Sequence, residues 1–341
     1  MNSYDKKINY LFYYWLISCL LIVFLILIVG GLTRLTNSGL SITEWELFSG
    51  ILPPFNQTSW EFYFNQYKQI PQYRLLNFNM SIEQFKVIFY WEYFHRVLAR
   101  LIGLFFIIPL IYFYFSKKIE IKYLKICGMI FLLILLQGFM GWYMVKSGLV
   151  NDITVSHYRL SIHLSLAVII ISSIFWLIRN IKDATLKKFF NLSADNILYF
   201  TLIVLIFFQI IFGAFVSGLD AGRIYQTWPL MGQTYFPNDT ELKEIKSFFD
   251  FDNRSLVQFY HRNLAYFITA YIILLGINIY IKRRKELFYS FNIIFIFLIL
   301  QVVLGIITLT SGLNIYLAIG HQFTSVILAL SAINLYYLKL K

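Results

Sequence analysis

Few residues of this 341-residue sequence could do chemistry, and they sit in an unusual setting. Four histidines, His95, His163, His261 and His321, lie inside strongly apolar segments, and His157 stands just before one of them. Glu92 is the one acid within an apolar segment, and it lies three residues before His95. On a helix that spacing puts both side chains on one face. A lone histidine in such a segment is most simply a hydrogen-bonded structural residue. Four of them, on alternate segments at similar depth, are what two heme irons would need, each held from both sides by imidazole inside a four-helix bundle. A bare metal ion would require further Cys or carboxylate ligands at that depth, and Glu92 is the only candidate. His95 and His261 are each followed by an arginine, Arg96 and Arg262. These either snorkel to the interface or pair with anionic heme propionates. Arg34, Arg74, Arg159, Arg223 and Arg254 are further candidates for the same work. His157 has no counterpart elsewhere in the chain and reads as a surface residue.

The surrounding sequence is 59% hydrophobic, 20% aromatic and 13% charged, with a mean hydropathy of +0.67. A water-soluble globule could not hide that much apolar surface, and disordered, collagen-like and disulfide-scaffold classes are excluded by composition. The chain is a polytopic membrane protein. Its net charge of +12 does not indicate nucleic acid, because the positive residues sit in short loops between apolar runs. Cys19 and Cys127 each lie within an apolar run and read as small buried hydrophobes. The first apolar run, starting near Tyr10, is too long for a signal-peptide core and should stay as a helix.

A spanning helix needs about 20 apolar residues. Uncharged runs occur at Tyr10–Gly31, Ile126–Val145, Leu160–Ile178, Asn196–Leu219 and Asn263–Ile281. A sixth run, Val87–Phe115, carries Glu92, Arg96 and Arg100. The last, Leu287–Leu338, has no charge over 52 residues. As one helix it would be roughly 78 Å long, so it must break, and Ser311-Gly312-Leu313-Asn314 reads as the turn. The fold class is therefore an all-α integral membrane protein with eight transmembrane helices. Lys and Arg gather at Lys6 and Lys7, Lys117–Lys125, Arg179–Lys188, Lys282–Lys285 and Lys339–Lys341. Both termini and the three short basic loops should be cytoplasmic. The long loops Leu32–Lys86 and Asp220–Arg254 should face outward, and connections of this length are usually functional.

The halves resemble each other. Gly30, Gly39 and Trp45 recur as Gly213, Gly222 and Trp228 at an offset of 183. His95-Arg96 recurs as His261-Arg262 at an offset of 166, and Leu136-Gln137-x3-Gly141 recurs as Leu300-Gln301-x3-Gly305 at 164. Four helices per half give parallel repeats, unlike the inverted repeats common in transporters. Two pseudo-symmetric four-helix bundles are expected, residues 1–185 and 186–341. One difference between them suggests chemistry: the counterpart of Glu92 is Gln258. Either the first bundle does proton-coupled work while the second holds a redox group, or Glu92 is an acid paired with a nearby arginine.

These residues resemble the heme A synthase family. The resemblance rests on Gly30-Gly31-Leu32-Thr33-Arg34-Leu35-Thr36-Asn37-Ser38-Gly39, Glu92-Tyr93-Phe94-His95-Arg96, Tyr158-Arg159-Leu160-Ser161-Ile162-His163, Thr227-Trp228-Pro229-Leu230-Met231 and Gln258-Phe259-Tyr260-His261-Arg262. It is closest to the alphaproteobacterial and mitochondrial type, which lacks a loop cysteine pair. It implies oxidation of a ring methyl of heme O to a formyl group, giving heme A for cytochrome c oxidase. It further implies a substrate site at His95 and His163 in the first bundle, with Glu92 taking a proton or steadying positive charge. His261 and His321 in the second bundle would ligate a resident heme b that relays electrons. The implied setting is the inner cell membrane, with heme O synthase and oxidase assembly factors as partners, an electron partner, lipid around the farnesyl tail, and no nucleic acid. Two competing readings are a purely electron-transferring b-type cytochrome subunit, which leaves the Glu92/Gln258 difference unexplained, and a parallel-repeat transporter, which leaves the four histidines unexplained.

Overall fold

The computed structural model describes residues 9–44, 52–151, 153–241 and 244–340. Trp45 and the orienting lysines Lys6, Lys7 and Lys341 lie outside the described residues. Among those described, eight helices are long and apolar enough to cross a membrane, as expected. They are α1 (Tyr10–Leu35), α4 (Ile82–Ser116), α5 (Ile121–Asn151), α6 (His157–Lys182), α7 (Ile197–Gly218), α8 (Arg254–Ile281), α9 (Lys285–Thr310) and α10 (Ile315–Lys339). Two shorter helices, α2 (Gln57–Tyr67) and α3 (Pro71–Leu76), fall between α1 and α4.

Local sequence sets the helix ends. The Asn9 side chain accepts the Phe12 amide hydrogen at 3.1 Å and starts α1. Ser81 and Gln84 form a reciprocal capping box, which starts α4 five residues before the apolar run at Val87. The long final run breaks where the turn sequence predicts. Gly312 takes a φ of 74°, and Asn314 accepts from the amides of Tyr316 and Leu317 to open α10. Pro109 lies inside α4 and cannot donate to the Phe105 carbonyl. The Trp15 indole on α1 donates to that carbonyl at 3.0 Å, so the helix crosses the proline with its backbone satisfied.

The chain divides into two compact units, Met1–Leu186 and Lys187–Lys341. In the first, α1 packs on α4 and α6, and α5 packs on the same two helices. The inner core of this unit includes Phe12, Trp15, Phe106 and Phe113, whose rings meet at 5.0–5.6 Å. Cys19 and Cys127 are buried and free. In the second unit, α7 packs on α8 and α10, and α9 packs on the same two.

The segment between α1 and α4 is more structured than a loop. Trp60, Phe64 and Tyr67, on one face of α2, pack with Leu40, Ile42, Phe85, Phe89 and Val155 in one buried cluster. Tyr67 donates to the buried Gln72 side chain at 2.9 Å. Gln72 in turn donates to the carbonyls of Asn37 and Ile153, each at 3.2 Å, and pins this cap to the ends of α1 and the α5–α6 connection. Between α7 and α8 the described residues hold short 3-10 turns, Ala221–Arg223 and Ile245–Phe249, and an isolated antiparallel bridge between Met231 and Thr234.

Candidate functional site

The four helix histidines form two facing pairs. His95 on α4 and His163 on α6 have ring centroids 6.5 Å apart at an interplanar angle of 74°. His261 on α8 and His321 on α10 stand 6.4 Å apart at 78°. Each ring lies against a glycine of a neighbouring helix. A Cβ at Gly30, Gly141, Gly213 or Gly305 would stand 2.8, 3.1, 3.2 or 2.9 Å from Cε1 of His95, His163, His261 or His321, respectively. A larger residue would force the ring to shift at Gly30 or Gly305 and would press it back by a few tenths of an ångström at Gly141 or Gly213. Both spans are close to what two imidazoles on opposite sides of one metal require, given metal–nitrogen bonds of about 2 Å. Two imidazoles and no further ligand suit a heme iron, whose remaining positions the macrocycle fills. The residues fit that group.

A further set of residues, one helical turn before each cradle glycine, meets the same rings. Gln137 Nε2 lies 3.3 Å from His163 Nε2 and donates to the His163 carbonyl at 3.1 Å. Gln209 Nε2 lies 3.1 Å from His261 Nδ1 and donates to the His261 carbonyl at 3.0 Å. The Gln301 carbonyl takes His321 Nδ1 at 3.1 Å, and its Nε2 lies 3.3 Å from His321 Nε2. At the fourth place stands Ile26, whose backbone meets the His95 ring and whose side chain carries no polar atom. Nδ1 of His95 and of His163 are buried atoms without hydrogen-bond partners. Sequence reasoning missed the roles of these glycines and glutamines. The recurrence of Gln137 and Gly141 as Gln301 and Gly305 was the available signal, but a repeat does not say which histidine a residue faces.

Glu92 is buried, and its carboxylate is fully engaged. Its Oε1 accepts from Arg96 Nε at 3.0 Å and Nη2 at 2.5 Å. Its Oε2 accepts from Ser41 Oγ at 2.7 Å and the Ile42 amide at 2.9 Å. Arg96 also donates to the Ile42 carbonyl at 3.0 Å and the Glu44 carbonyl at 3.3 Å. The acid-paired-with-arginine reading is thus the geometry observed. In the second unit, Gln258 Nε2 and Arg262 Nη2 both donate to the Tyr225 carbonyl, at 2.9 and 3.0 Å, and Arg262 Nη1 reaches the Leu230 carbonyl at 3.3 Å. Both arginines therefore hold backbone carbonyls of the α1–α4 and α7–α8 connections, a use that sequence reasoning did not foresee. The Tyr225 hydroxyl and Ser255 donate to Asp239 at 2.9 and 2.7 Å. Burial pushes the Asp239 carboxyl up, but these bonds outweigh it and hold the group below its ordinary range.

Arg34, Arg74 and Arg159 are engaged locally, with Asn37 at 3.1 Å, Gln69 at 3.0 Å and the Tyr143 ring at 5.3 Å. His157 corrects an expectation. It is buried, 7% exposed, as the first residue of α6, with its ring 4.0 Å from that of Tyr158.

A family model described as cytochrome oxidase assembly protein matches residues 13–333. The chain belongs to this family. A heme A synthase of Pelagibacter ubique is 48% identical to it, over 99% of this chain and 98% of that relative. One from Rickettsia bellii is 43% identical, over 92% and 94%, and one from Flavobacterium psychrophilum is 39% identical over the same shares. The resemblance seen in the motifs is borne out along nearly the whole chain. In this member of the family the motif residues Glu92 and Arg96 on α4 meet the residues that follow α1, while His95 meets α1 itself at Gly30.

Proposed function

We propose that the protein is a heme A synthase, an enzyme of the membrane that oxidises a ring methyl of heme O to a formyl group and so provides heme A for cytochrome c oxidase. The observation that carries this is the pair of facing histidines in each unit, every ring set against a glycine, in a chain whose full-length relatives are heme A synthases.

In this reading the first unit holds the substrate, with heme O between His95 and His163. The second unit holds a resident heme b between His261 and His321. This assignment is supported by the hydrogen bonding of the rings. Nδ1 of His261 and of His321 each has a polar partner, as suits a ligand held in place through the ring nitrogen that does not meet the iron. His95 and His163 each leave Nδ1 without one, as suits a site that fills and empties. Heme b, when bound, supplies one-electron redox chemistry.

Glu92 is the residue of the first unit with no acidic counterpart in the second. An ionised carboxylate has about four acceptor sites, and the four donors from Arg96, Ser41 and Ile42 fill them. Its role is therefore that of a fixed negative charge three residues from His95, opposing positive charge that develops as the substrate is oxidised. Arg96 and Arg262 place positive charge at the outer ends of the two sites, where propionates would lie. Arg262 keeps a buried Nε hydrogen without a partner for that purpose. The partition of Lys and Arg supports cytoplasmic termini and an outward cap in the inner membrane. Heme O synthase, oxidase assembly factors and an electron partner, donor or acceptor, are the partners this reading implies.

The test is co-expression with a source of heme O, followed by pigment extraction and mass measurement of the hemes. Heme A in cells carrying this chain, and none in cells without it, is the expected result; heme O alone in both would refute the reading.

A further inference from the structure

The residue one turn before each cradle glycine is Gln137, Gln209 or Gln301 beside three of the histidines, and Ile26 beside the fourth. We propose that this side chain decides whether a histidine is a fixed or an exchangeable iron ligand, and that Ile26 makes His95 the ligand that lets go, so that substrate heme enters and leaves the first unit on its α1/α4 side. The proposal rests on the reading of the histidine pairs as heme sites.

A ligand exchanges when its ring can swing away from the metal. Each glutamine opposes that swing by tying a ring to the neighbouring helix. Gln137 and Gln209 hold both the ring and the backbone carbonyl of their histidine with one amide nitrogen. Gln301 holds His321 through its backbone carbonyl and its amide, and its own side-chain oxygen is fixed by Thr324. A glutamine amide can also serve the metal-bound state. Imidazole bound through one nitrogen carries a hydrogen on the other, and rotating the amide presents an oxygen to accept it. The side-chain oxygens of Gln137 and Gln209 are buried without partners and are available for this. Ile26 has no polar side-chain atom to do either. Nδ1 is without a partner in His95 as in His163, but no glutamine reaches the His95 ring, which is held by packing against Gly30 and the Ile26 backbone. The three glutamines are positioning residues: removing such a partner from a ligating histidine typically weakens metal affinity about 10–100-fold.

The experiment uses the purified protein with its hemes retained, mixed with excess apomyoglobin. Loss of heme is followed by absorbance, and the heme left behind is identified by mass. The wild type should lose heme O or heme A in a fast phase and heme b in a slow one. Ile26→Gln should slow the fast phase by about tenfold or more, Gln209→Ile should speed the slow phase by about 10–100-fold, and Ile26→Leu should change neither. Gln209→Ile removes a polar group from a membrane helix, so it remains decisive should Ile26→Gln fail to accumulate. Heme content near wild type, with both phases within about twofold of wild type in Gln209→Ile, would overturn the proposal. A wild-type protein carrying no heme in either unit would overturn the functional reading beneath it, and the proposal with it.

Discussion

Glu92 accepts the amide hydrogen of Ile42 at 2.9 Å, whereas Gln258, its counterpart in the second repeat, donates to the carbonyl of Tyr225 at 2.9 Å. Ile42 and Tyr225 are themselves repeat equivalents at the offset of 183 that relates Gly30 to Gly213. One substitution in the repeat has thus reversed the polarity of a contact while keeping its place. Gln258→Glu would set a carboxylate against the Tyr225 carbonyl and lose a buried hydrogen bond, a cost of about 1–3 kcal/mol. The expected outcome is a lower melting temperature and no second oxidising site, checked by thermal unfolding and heme extraction.

The cradle glycines grade a second prediction. A Cβ at Gly305 would meet the His321 ring at 2.9 Å, and one at Gly213 would meet His261 at 3.2 Å. Overpacking of this kind costs about 1–3 kcal/mol. Gly305→Ala should lose more heme b than Gly213→Ala when heme content is measured by absorbance at matched protein levels. Equal, full heme content in both would mean the rings are not held as ligands here.

His261→Ala or His321→Ala should abolish the low-spin spectrum of heme b, while His163→Ala should leave it in place. Full retention of that spectrum in both second-unit variants would remove the ligand assignment.

Asp239 gives a pH dependence with a definite sign. Burial raises its carboxyl, but the bonds from Ser255 and Tyr225 win and depress it. A depressed acid contributes stability above its unfolded value near 3.8 that is lost as pH falls through the folded value. Because Tyr225 also receives Gln258 and Arg262, acidification below about pH 4 should loosen the α7–α8 connection. Limited proteolysis should detect this, and Asp239→Asn should show the loosening already at neutral pH.

Topology is tested by reporter fusions. Fusions after Lys118, Lys188 and Arg284 should report cytoplasm, and those near Gln66 and Thr240 the outside. A cytoplasmic signal from either long connection would contradict the orientation.

What the sequence made legible follows the physics of each element. Span count and the Ser311–Asn314 break were readable because hydrophobic length and turn chemistry are local. The four histidines were readable because polar groups in apolar runs need a reason. The α2 helix carried its own signal, since Trp60, Phe64 and Tyr67 fall at helical spacing, but its partners Phe85 and Phe89 lie on another helix. The burial of His157 and the pairing of each glycine with a histidine likewise depend on tertiary neighbours. Gln209 was hidden for a different reason: its repeat equivalent is Ile26, so the repeat gave no match there.

The central claim is that the first unit performs the oxidation and that Glu92 serves it. Its most direct test is the mass of the hemes extracted from purified wild type and Glu92→Gln, each co-expressed with a heme O source. An amide keeps the shape of the carboxylate but removes its charge and half its acceptor capacity toward Arg96, Ser41 and Ile42. Retained heme b certifies the fold. The account predicts heme A with heme b from the wild type, and heme O with heme b from Glu92→Gln, with heme A reduced by about 10²–10³-fold. Near-normal heme A from Glu92→Gln at matched protein levels would contradict it and leave the residue as a structural clamp for Arg96.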